Sequence, residues 1–343
     1  MNVMEMTRRV VIPEPRSVQL VSSPAPTPGP DDALIRTRTV GICGSDLHAL
    51  SGAHPFITLP CSPGHEVVGV VEKTGSRVTE VSCGDRVLAE ANLICGHCIY
   101  CRAGRYNLCE ELKVLGCQTD GAMADLFTIR ASRLHRVPEA LSDAEAAMVE
   151  PLSTATHAVR CAGVLRGRTL AILGGGTVGL LCLVAALDAG SKRVVVTDLQ
   201  PSKRERAVGL GASAAIDGAS STATTEIRDV LGGRPDFVFD CVASQTSISQ
   251  AIELALKGGT VMVVGVPTAD VSIPLPLLQD REVRIQGAAM YVREDVLKAI
   301  DLMVRRVVPI KAMVTLTLPL DRAQEGFAAA QSGDHIKVQL RVE

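Results

Sequence analysis

Four cysteines lie close together in the sequence, at a spacing that suits one metal ion. The pattern C-x-x-C-x-x-C-x7-C is formed by Cys95, Cys98, Cys101 and Cys109. Four thiolates at such spacing can surround a tetrahedral Zn²⁺; an iron–sulfur cluster is the alternative, and disulfides or free thiols are a third possibility. Because four protein ligands leave no open position, we expect a structural zinc that holds the loop at about 93–112 together.

A second set of candidate metal ligands lies upstream, in the segments GICGSDLH and SPGHEVVG. Cys43, His65 and Glu66 offer a sulfur, a nitrogen and an oxygen ligand, a combination that suits Zn²⁺. Three protein ligands leave a fourth position for water or substrate, as catalytic zinc sites do. Glu150, in MVEPLST, is from its sequence context alone a surface carboxylate near a helix.

A glycine-rich motif lies in LAILGGGTVGLLCLVAAL, after an expected strand and at the start of an expected helix. Gly174 would make the tight turn, Gly176 would let the backbone approach a pyrophosphate, and Gly179 would allow close packing of helix on strand. The pyrophosphate would rest on the helix N-terminus, at Thr177 and Val178, where free N–H groups favour an anion. The motif therefore predicts a dinucleotide-binding loop.

The strand after this motif ends in Asp198, where a carboxylate can bind a ribose 2′-hydroxyl. A carboxylate repels a 2′-phosphate and no Arg follows it directly, so NAD is expected rather than NADP, although Lys203 and Arg204 lie nearby. Two later strand ends, 241–244 and 264–266, belong to the same carboxyl edge of the sheet, where the rest of the cofactor would lie. The expected cofactor-binding set is therefore completed by Lys203, Val264 and Val266.

Length and composition restrict the class of protein. The chain has 343 residues, 47% of them hydrophobic, with 35 Lys+Arg against 37 Asp+Glu. These values exclude a disordered chain and give no electrostatic footprint for nucleic acid or an anionic membrane. The most apolar run, 179–187, is too short to span a bilayer, and no signal peptide is visible, so a cytoplasmic protein is expected. Eleven cysteines indicate metal binding, or small core residues in a reducing compartment.

Two regions that differ in composition and hydrophobic pattern predict two domains. Residues 1–149 are rich in Pro, Gly and short β-branched runs, which are typical of an antiparallel, barrel-like β domain. Residues 150–291 alternate strands with helices, which predicts βαβ units and a parallel sheet. The expected strands are 170–173, 193–198, 236–241, 260–265 and 283–288. The expected helices are 177–189, 201–210 and 244–257, followed by 293–306 in the last segment, 292–343.

Together these segments resemble the zinc-containing medium-chain dehydrogenase/reductase family of the alcohol dehydrogenase superfamily. The resemblance covers essentially the whole chain, through GICGSD, GHEVVG, the four-cysteine lobe, EPLSTATHA, GGGTVGL and KVQL. Within the family the chain is most similar to the polyol (sorbitol-type) dehydrogenases. The resemblance implies an α/β protein with a GroES-like catalytic domain (1–149), a Rossmann doubly wound NAD-binding domain (150–291) and a return to the catalytic domain (292–343).

The resemblance also implies a catalytic zinc. Cys43 and His65 would bind it, and Glu66 would be a third ligand or a neighbour of a ligand. Glu150 would lie near the zinc-bound water. Which carboxylate binds the zinc directly stays open at this point.

Three further residues receive roles from the same resemblance. Ser45 would hydrogen-bond the substrate oxygen, and His48 would pass the proton to solvent through the nicotinamide ribose. Asp46 would orient the histidine ligand from outside the metal's ligand set.

The implied activity is reversible oxidation of a secondary alcohol, polyol, cyclitol or sugar hydroxyl to a ketone, with NAD and two zinc ions per subunit. A homo-oligomer, tetramer or dimer, is the family expectation, and a threonine or butanediol dehydrogenase is the alternative. One position departs from the sorbitol-type pattern, which often has Arg before a Tyr where this chain has Met290-Tyr291. A Met there favours a less polar secondary alcohol, a cyclic alcohol or a polyol held differently.

Overall fold

The structure, a computed structural model, describes residues 6–342. The chain forms two compact units. The first runs to Glu150 and includes Val292–Arg305 and the residues from Ile310 onward. The second comprises Pro151–Tyr291 and Arg306–Pro309.

The strands and helices are numbered here in chain order. The strands are β1 (Met6–Val11), β2 (Gln19–Pro24), β3 (Asp32–Gly41), β4 (Glu66–Thr74), β5 (Arg86–Ala89), β6 (Asn92–Leu93), β7 (Lys113–Val114), β8 (Leu126–Arg130), β9 (Leu134–Arg136), β10 (Thr169–Leu173), β11 (Arg193–Asp198), β12 (Ala214–Asp217), β13 (Phe237–Asp240), β14 (Thr260–Val263), β15 (Arg284–Gly287), β16 (Val314–Pro319) and β17 (Lys337–Arg341). The helices are α1 (Gly44–Ser51), α2 (Ile99–Arg102), α3 (Asp143–Ala146), α4 (Val149–Ala162), α5 (Thr177–Asp188), α6 (Pro201–Gly209), α7 (Ala223–Leu231), α8 (Gln245–Leu254), α9 (Leu275–Arg281), α10 (Arg293–Val304), α11 (Ile310–Met313) and α12 (Ala323–Ser332).

The first unit is built on a seven-stranded sheet with the order β16-β17-β3-β4-β5-β9, in which β8 also pairs with β3. The pairs are antiparallel except β16 with β17, which run parallel. The expected antiparallel β domain is therefore confirmed, with one parallel pair at its edge. Strand β3 is central, because β4, β8 and β17 all pair with it.

The second unit contains a six-stranded sheet with the order β12-β11-β10-β13-β14-β15, and every pair is parallel. This is the strand order of a doubly wound dinucleotide-binding fold, so the predicted fold class is confirmed. Strands β10 and β11 are almost wholly buried because helices cover both faces of such a sheet, which explains their continuous apolar runs.

The five strands predicted in this sheet are present, with ends shifted by at most two residues. The expected helices are also present, and 244–257 is shortened to Gln245–Leu254. Strand β12 and helices α7 and α9 were not predicted. The segment AAID of β12 is four residues long and offers too little β-branched character to indicate a strand.

Within residues 6–342, none of the helices combines the length and the apolar character that a bilayer crossing requires.

Candidate functional site

The sheet of the first unit brings Cys43, His65 and Glu66 together. Strand β3 ends at Gly41, and the chain turns at Cys43 into α1. On the neighbouring strand β4, Glu66 pairs with Gly41, and His65 comes just before it. The ligand atoms of the three side chains lie within 4.8 Å of one another. Residues about 20 positions apart in sequence therefore form one compact donor set of sulfur, nitrogen and oxygen, which suits Zn²⁺.

Three polar atoms around this donor set are buried and lack a hydrogen-bond partner among the described residues. They are Ser45 Oγ, Asp46 Oδ1 and His65 Nδ1. Buried polar atoms in native proteins are almost always paired, so such a cluster indicates a site for a polar ligand, water or ion. The residues present therefore fit a catalytic metal and the oxygen of a bound substrate.

Asp46 also shapes the turn that carries Cys43. Its Oδ2 accepts the backbone N–H of Cys43 at 2.8 Å, which fixes the start of α1. Within residues 6–342 neither Asp46 Oδ1 nor His65 Nδ1 has a hydrogen-bond partner, so no hydrogen bond joins these two atoms.

The site concentrates negative charge. Burial lowers the pKa of His65, but the Cys43 thiolate, Asp46 and Glu150 outweigh burial and bring the pKa well above its ordinary value. Burial also raises the pKa of the Asp46 carboxyl. A buried group of acidic side chains favours binding of a divalent cation.

The two candidate carboxylates have different surroundings. Glu66 is 1% exposed, and its carboxylate accepts hydrogen bonds from the ammonium of Lys337. Glu150 lies in the first turn of α4, is 8% exposed, and acts electrostatically on His65 and Cys117. The surface position expected for Glu150 from its sequence context alone was wrong. Lys337 was not predicted as a site residue, because its segment KVQL contributed only to the family resemblance.

His48 lies on α1, one turn after Ser45, and is half-buried. Burial lowers its pKa below the usual value, so the imidazole stays neutral at neutral pH. A neutral imidazole can accept a proton, which is the property that a proton relay needs.

A cavity of ≈ 320 Å³ lies beside this cluster in the first unit. Its lining includes Phe56, Thr58, Ser62, Cys117 and Thr119. Burial raises the pKa of the Cys117 thiol to about 12. A Cβ at Gly116 would lie 2.7 Å from the backbone of Gly64, so the segment that carries Cys117 packs against the residue before His65. Hydroxyl, amide and carboxylate groups make part of the wall polar, as suits a substrate with several hydroxyls.

The four-cysteine motif also forms a compact group, with all four sulfur atoms within 4.8 Å of one another. Cys109 Sγ lies 3.5 Å from Cys95 Sγ, and Cys101 Sγ lies 3.9 Å from it. Backbone N–H groups of Glu110 and Cys101 lower the pKa of the Cys98 thiol. The lowered pKa of Cys98 and the close approach of the four sulfur atoms fit a structural Zn²⁺.

A buried polar network ties this lobe to the sheet of the first unit. The Tyr106 hydroxyl donates to Glu90 Oε2 at 2.9 Å and accepts the backbone N–H of Arg293 at the start of α10. Glu90 also pairs with Arg133 at 3.0 Å and with His135 at 2.6 Å. The Arg133 guanidinium lies 4.8 Å from the centre of the Tyr106 ring. Tyr106 therefore joins the cysteine lobe to two other parts of the unit.

The glycines of the second unit have the geometry that the motif predicts. Gly174 has φ 98°, a left-handed turn. A Cβ at Gly179 would lie 1.8 Å from the carbonyl oxygen of Gly174, so α5 approaches the loop too closely for a side chain. A Cβ at Gly176 would meet no protein atom within 4 Å, so the space over this residue is open to a ligand. Thr177 and Val178 form the first positions of α5.

Asp198 ends β11 beside this loop. Its Oδ2 accepts the N–H of Gly175 at 2.8 Å, and its Oδ1 accepts the N–H of Gln200 at 2.9 Å. The carboxylate is part-buried, so it remains accessible to a ligand hydroxyl at the carboxyl edge of the sheet. The glycine loop and the acidic residue at the end of β11 together fit a bound dinucleotide.

Comparisons with known proteins agree with this geometry. Residues 29–139 match the alcohol dehydrogenase GroES-like domain family, and residues 177–305 match the zinc-binding dehydrogenase family. A sorbitol dehydrogenase from Ovis aries is 32% identical over 342 residues, which cover 97% of this chain and 96% of the relative. The chain belongs to the zinc-containing medium-chain alcohol dehydrogenase family. The resemblance inferred from the sequence is thereby confirmed, including its polyol-type pattern.

Two solved structures share the fold of this dehydrogenase over nearly its full length. A zinc-binding dehydrogenase from Sinorhizobium meliloti 1021, bound to NADP, has a TM-score of 0.91 at 32% identity and covers 98% of this chain and 99% of its own. The 2R,3R-butanediol dehydrogenase from Bacillus subtilis has a TM-score of 0.89 at 27% identity. The match covers 98% of this chain and 99% of the butanediol dehydrogenase chain.

The remaining candidate cofactor-binding residues of the dehydrogenase differ in their solvent exposure. Val264 is buried and Val266 is 39% exposed, and both follow β14, which ends at Val263. Lys203 is part-buried on α6. Arg204 is engaged locally, since its guanidinium donates to the carbonyl oxygens of Asp198 and Leu199 at 2.9 Å.

Two exposed apolar residues lie at this edge, and one of them, Val242, belongs to the strand end 241–244 that the sequence predicted to face the cofactor. Leu199 is 68% exposed and Val242 is 49% exposed, and each directly follows a strand-end segment. Exposed apolar side chains at the carboxyl edge of a parallel sheet suit the flat faces of an adenine ring.

Proposed function

We propose that this dehydrogenase oxidises a secondary hydroxyl of a polyol to a ketone, with zinc at the Cys43–His65 site and NAD as hydride acceptor. The observation that carries the proposal is the buried donor set of the first unit with its three unpartnered polar atoms, Ser45 Oγ, Asp46 Oδ1 and His65 Nδ1. A purely structural ion site would not need an unpartnered hydroxyl beside it.

Each residue of this site has a proposed role. Cys43 and His65 hold the metal, and one of the carboxylates Glu66 and Glu150 completes its protein ligands. A zinc ion bound there supplies Lewis acidity, which favours the alkoxide form of an alcohol at neutral pH. Ser45 Oγ is the one unpartnered hydroxyl in the cluster, so it is placed to hydrogen-bond the substrate oxygen.

His48 is the proposed proton acceptor at the end of the relay. Its imidazole is neutral at neutral pH because burial lowers its pKa, and it lies on the same helix as Ser45. A proton released from the alcohol can therefore be passed along hydroxyl groups to His48 and then to solvent. A nicotinamide cofactor, held at the glycine loop and Asp198, would supply the hydride-accepting chemistry.

A second zinc ion is proposed for Cys95, Cys98, Cys101 and Cys109. Four thiolates complete a tetrahedral shell, so this ion has no position for substrate and holds the lobe together.

The preference for NAD over NADP rests on Asp198. Its part-buried carboxylate would repel a 2′-phosphate, and Arg204 is already engaged with carbonyl oxygens. The Sinorhizobium relative is bound to NADP, so this preference needs a direct test.

The polyol substrate is supported by the sorbitol dehydrogenase relatives and by the polar wall of the adjacent cavity. A diol is the second candidate. Met290, which stands where sorbitol-type enzymes often have Arg, and the likeness to a butanediol dehydrogenase favour it.

The test is an assay of NAD and NADP reduction with sorbitol, other polyols, 2,3-butanediol, cyclitols and L-threonine, alongside metal analysis. We expect NAD-dependent oxidation of a polyol and two zinc ions per chain. Cys43→Ala should lose activity and one zinc. Cys83→Ala, at an exposed cysteine outside both clusters, is the matched control and should retain both. Full activity of Cys43→Ala would contradict the metal-dependent mechanism.

A further inference from the structure

Three arginines of the second unit converge on the C-terminal end of helix α8, a place that the function proposed above does not use. Arg281, the last residue of α9, donates to three backbone oxygens there, among them that of Glu253 at 3.3 Å. Arg228, in the last turn of α7, donates to the same Glu253 oxygen at 3.4 Å. Arg234, in the loop after α7, donates to it as well. These three residues are called the arginine cluster.

Capping of α8 accounts for Arg281 alone. This residue is 6% exposed, and its guanidinium already pairs with three of the carbonyl oxygens that a helix end leaves free. A carbonyl oxygen has two lone pairs, yet three guanidiniums approach the backbone oxygen of Glu253. Arg228 and Arg234 therefore bring donors and charge that the end of α8 does not need.

The positive charge of the arginine cluster is only partly compensated. Within residues 6–342, the acidic side chain that pairs with it is that of Glu253, which lies 3.2 Å from Arg228 and is 58% exposed. Burial and the charges of Arg228 and Arg281 lower the pKa of the Arg234 guanidinium, against an opposite effect of Glu253. Three guanidiniums and one carboxylate leave an excess of two positive charges.

One donor of the cluster has no acceptor. Arg228 Nε is buried and lacks a hydrogen-bond partner within the described part of the chain. Buried donors in native proteins are almost always paired, so this atom indicates a site for a further acceptor. The contacts that Arg228 Nη2 makes with Glu253, at 3.2 and 3.4 Å, are long for hydrogen bonds of a charged donor. The cluster therefore retains donor capacity for another group of oxygen atoms.

A cavity of ≈ 380 Å³ lies next to the arginine cluster, at the edge of the sheet where β13, β14 and β15 begin. Gly258, which lines it, donates its N–H to the backbone oxygen of Arg281 at 2.8 Å. Among the described residues that line the cavity, three are basic and one, Asp236, is acidic. The basic ones are Arg168, Lys257 and Arg284. The cavity thus adds both volume and positive charge beside the cluster.

The arginine cluster is distant from the glycine loop. Helix α8 starts after the end of β13, at the carboxyl edge of the sheet, and its ten residues span about 15 Å. Its C-terminal end therefore lies at the opposite, amino edge. Gly176 and Asp198, which are proposed to bind the cofactor, lie at the carboxyl edge. An anion held by the cluster would be separate from the cofactor.

We propose that Arg228 and Arg234 bind a phosphate group, either as inorganic phosphate or as part of a phosphate ester whose organic part lies in the adjacent cavity. A phosphate monoester carries nearly two negative charges at neutral pH, which matches the excess of positive charge in the cluster. Guanidiniums form paired, charge-assisted hydrogen bonds with phosphate oxygens. Arg281 stays on the carbonyl oxygens of α8, and the exposed Glu253 carboxylate turns to solvent.

The test is isothermal titration calorimetry on the full chain, with inorganic phosphate and methyl phosphate as probes at constant ionic strength. The wild-type protein should bind at least one probe with a saturable heat. Tighter binding of methyl phosphate would identify an ester as the ligand, and tighter binding of inorganic phosphate would identify the free anion.

The double variant Arg228→Gln/Arg234→Gln should weaken phosphate binding by about tenfold or more, the scale expected for lost hydrogen bonds of charged groups. Phosphate that binds at the glycine loop is not affected by these changes, so the double variant also measures that contribution. Arg166→Gln is the matched control, because it removes an exposed positive charge at the same edge outside the cluster. Its dissociation constant should stay close to that of the wild type.

Glu253→Gln distinguishes a binding site from a helix cap. It removes the carboxylate that competes with phosphate, so phosphate binding should tighten by about two- to fivefold, the scale of one partly exposed ion pair. This variant also decides the question if the double variant does not fold, since unchanged or weaker binding would contradict the proposal. A wild-type protein that binds neither probe would overturn it, as would wild-type affinity in the double variant. Equal losses in Arg166→Gln and the double variant would assign the binding to the general charge of this edge and would also overturn the site.

Discussion

The Asp198 carboxylate is hydrogen-bonded to the glycine loop, through Oδ2 to the N–H of Gly175 at 2.8 Å. Its other oxygen accepts the N–H of Gln200 at 2.9 Å. The residue proposed to bind the cofactor ribose thus also fixes the loop proposed to bind the pyrophosphate. Cofactor choice and loop shape therefore depend on the same side chain.

Asp198→Ala should weaken NAD binding by roughly tenfold or more, since hydrogen bonds to a charged group contribute about 1.5–3 kcal/mol. Loss of the carboxylate also removes the repulsion of a 2′-phosphate, so the preference for NAD over NADP should narrow. Dissociation constants for both cofactors check this. Asp229→Ala, at an exposed aspartate of α7, is the control and should change neither constant much. An unchanged NAD/NADP ratio in Asp198→Ala would refute the assignment.

Alanine substitutions at two glycines of the same loop should have different effects, one on stability and the other on NAD binding. A Cβ at Gly179 would lie 1.8 Å from a backbone oxygen, so Gly179→Ala should lower the melting temperature of the protein. A Cβ at Gly176 meets only open space, so Gly176→Ala should fold normally and weaken NAD binding instead. Thermal melts and NAD titrations separate the two effects. A Gly176→Ala protein with wild-type NAD affinity would show that the cofactor lies elsewhere.

Tyr106→Phe tests the link between the cysteine lobe and the rest of its unit. The change leaves the Arg293 N–H without its partner and removes one donor from Glu90, at a cost of about 1–3 kcal/mol in the free energy of unfolding. Chemical denaturation measures this directly. Tyr100→Phe, a part-buried tyrosine of the same lobe, is the control and should be nearly neutral. Equal stabilities for the two variants would mean that the network does not stabilise the unit.

The pH dependence of alcohol oxidation should follow His48. Burial lowers the pKa of His48 below 6.5. The imidazole therefore becomes protonated, and can no longer accept a proton, only at a pH below 6.5. The acid limb of the kcat profile should therefore have its inflection below about pH 6.5. His48→Gln should lower kcat by about tenfold or more and remove this inflection. His97→Gln, at an exposed lobe histidine, is the control. An inflection that persists in His48→Gln would assign the titration to another group.

Local patterns predicted much of the fold and part of the site. The strand 193–198 was placed without error, because an unbroken β-branched run between a helix and an acidic residue has one simple interpretation. The glycine spacing likewise predicted a turn at Gly174 and close helix packing at Gly179, and both are present. In each case the information lies within a few consecutive residues.

Contacts between residues far apart in the sequence could not be predicted from these local patterns. Nothing near Lys337 in the sequence indicates that its ammonium meets Glu66, since the contact depends on β17 pairing with β3. The burial of Glu150 also depends on packing around the start of α4, and its flanking residues carry no sign of it. Contacts made by strand order are set by the whole sheet rather than by adjacent residues.

The Glu66–Lys337 pair has a consequence for the synthesis of the protein. When the ribosome has made Glu66, its counter-charge is still 271 residues away, beyond the whole second unit. Until β17 is added next to β3, the nascent first unit has an acidic metal pocket without its lysine. Glu66 therefore gains its buried counter-charge only once β17 has been added next to β3.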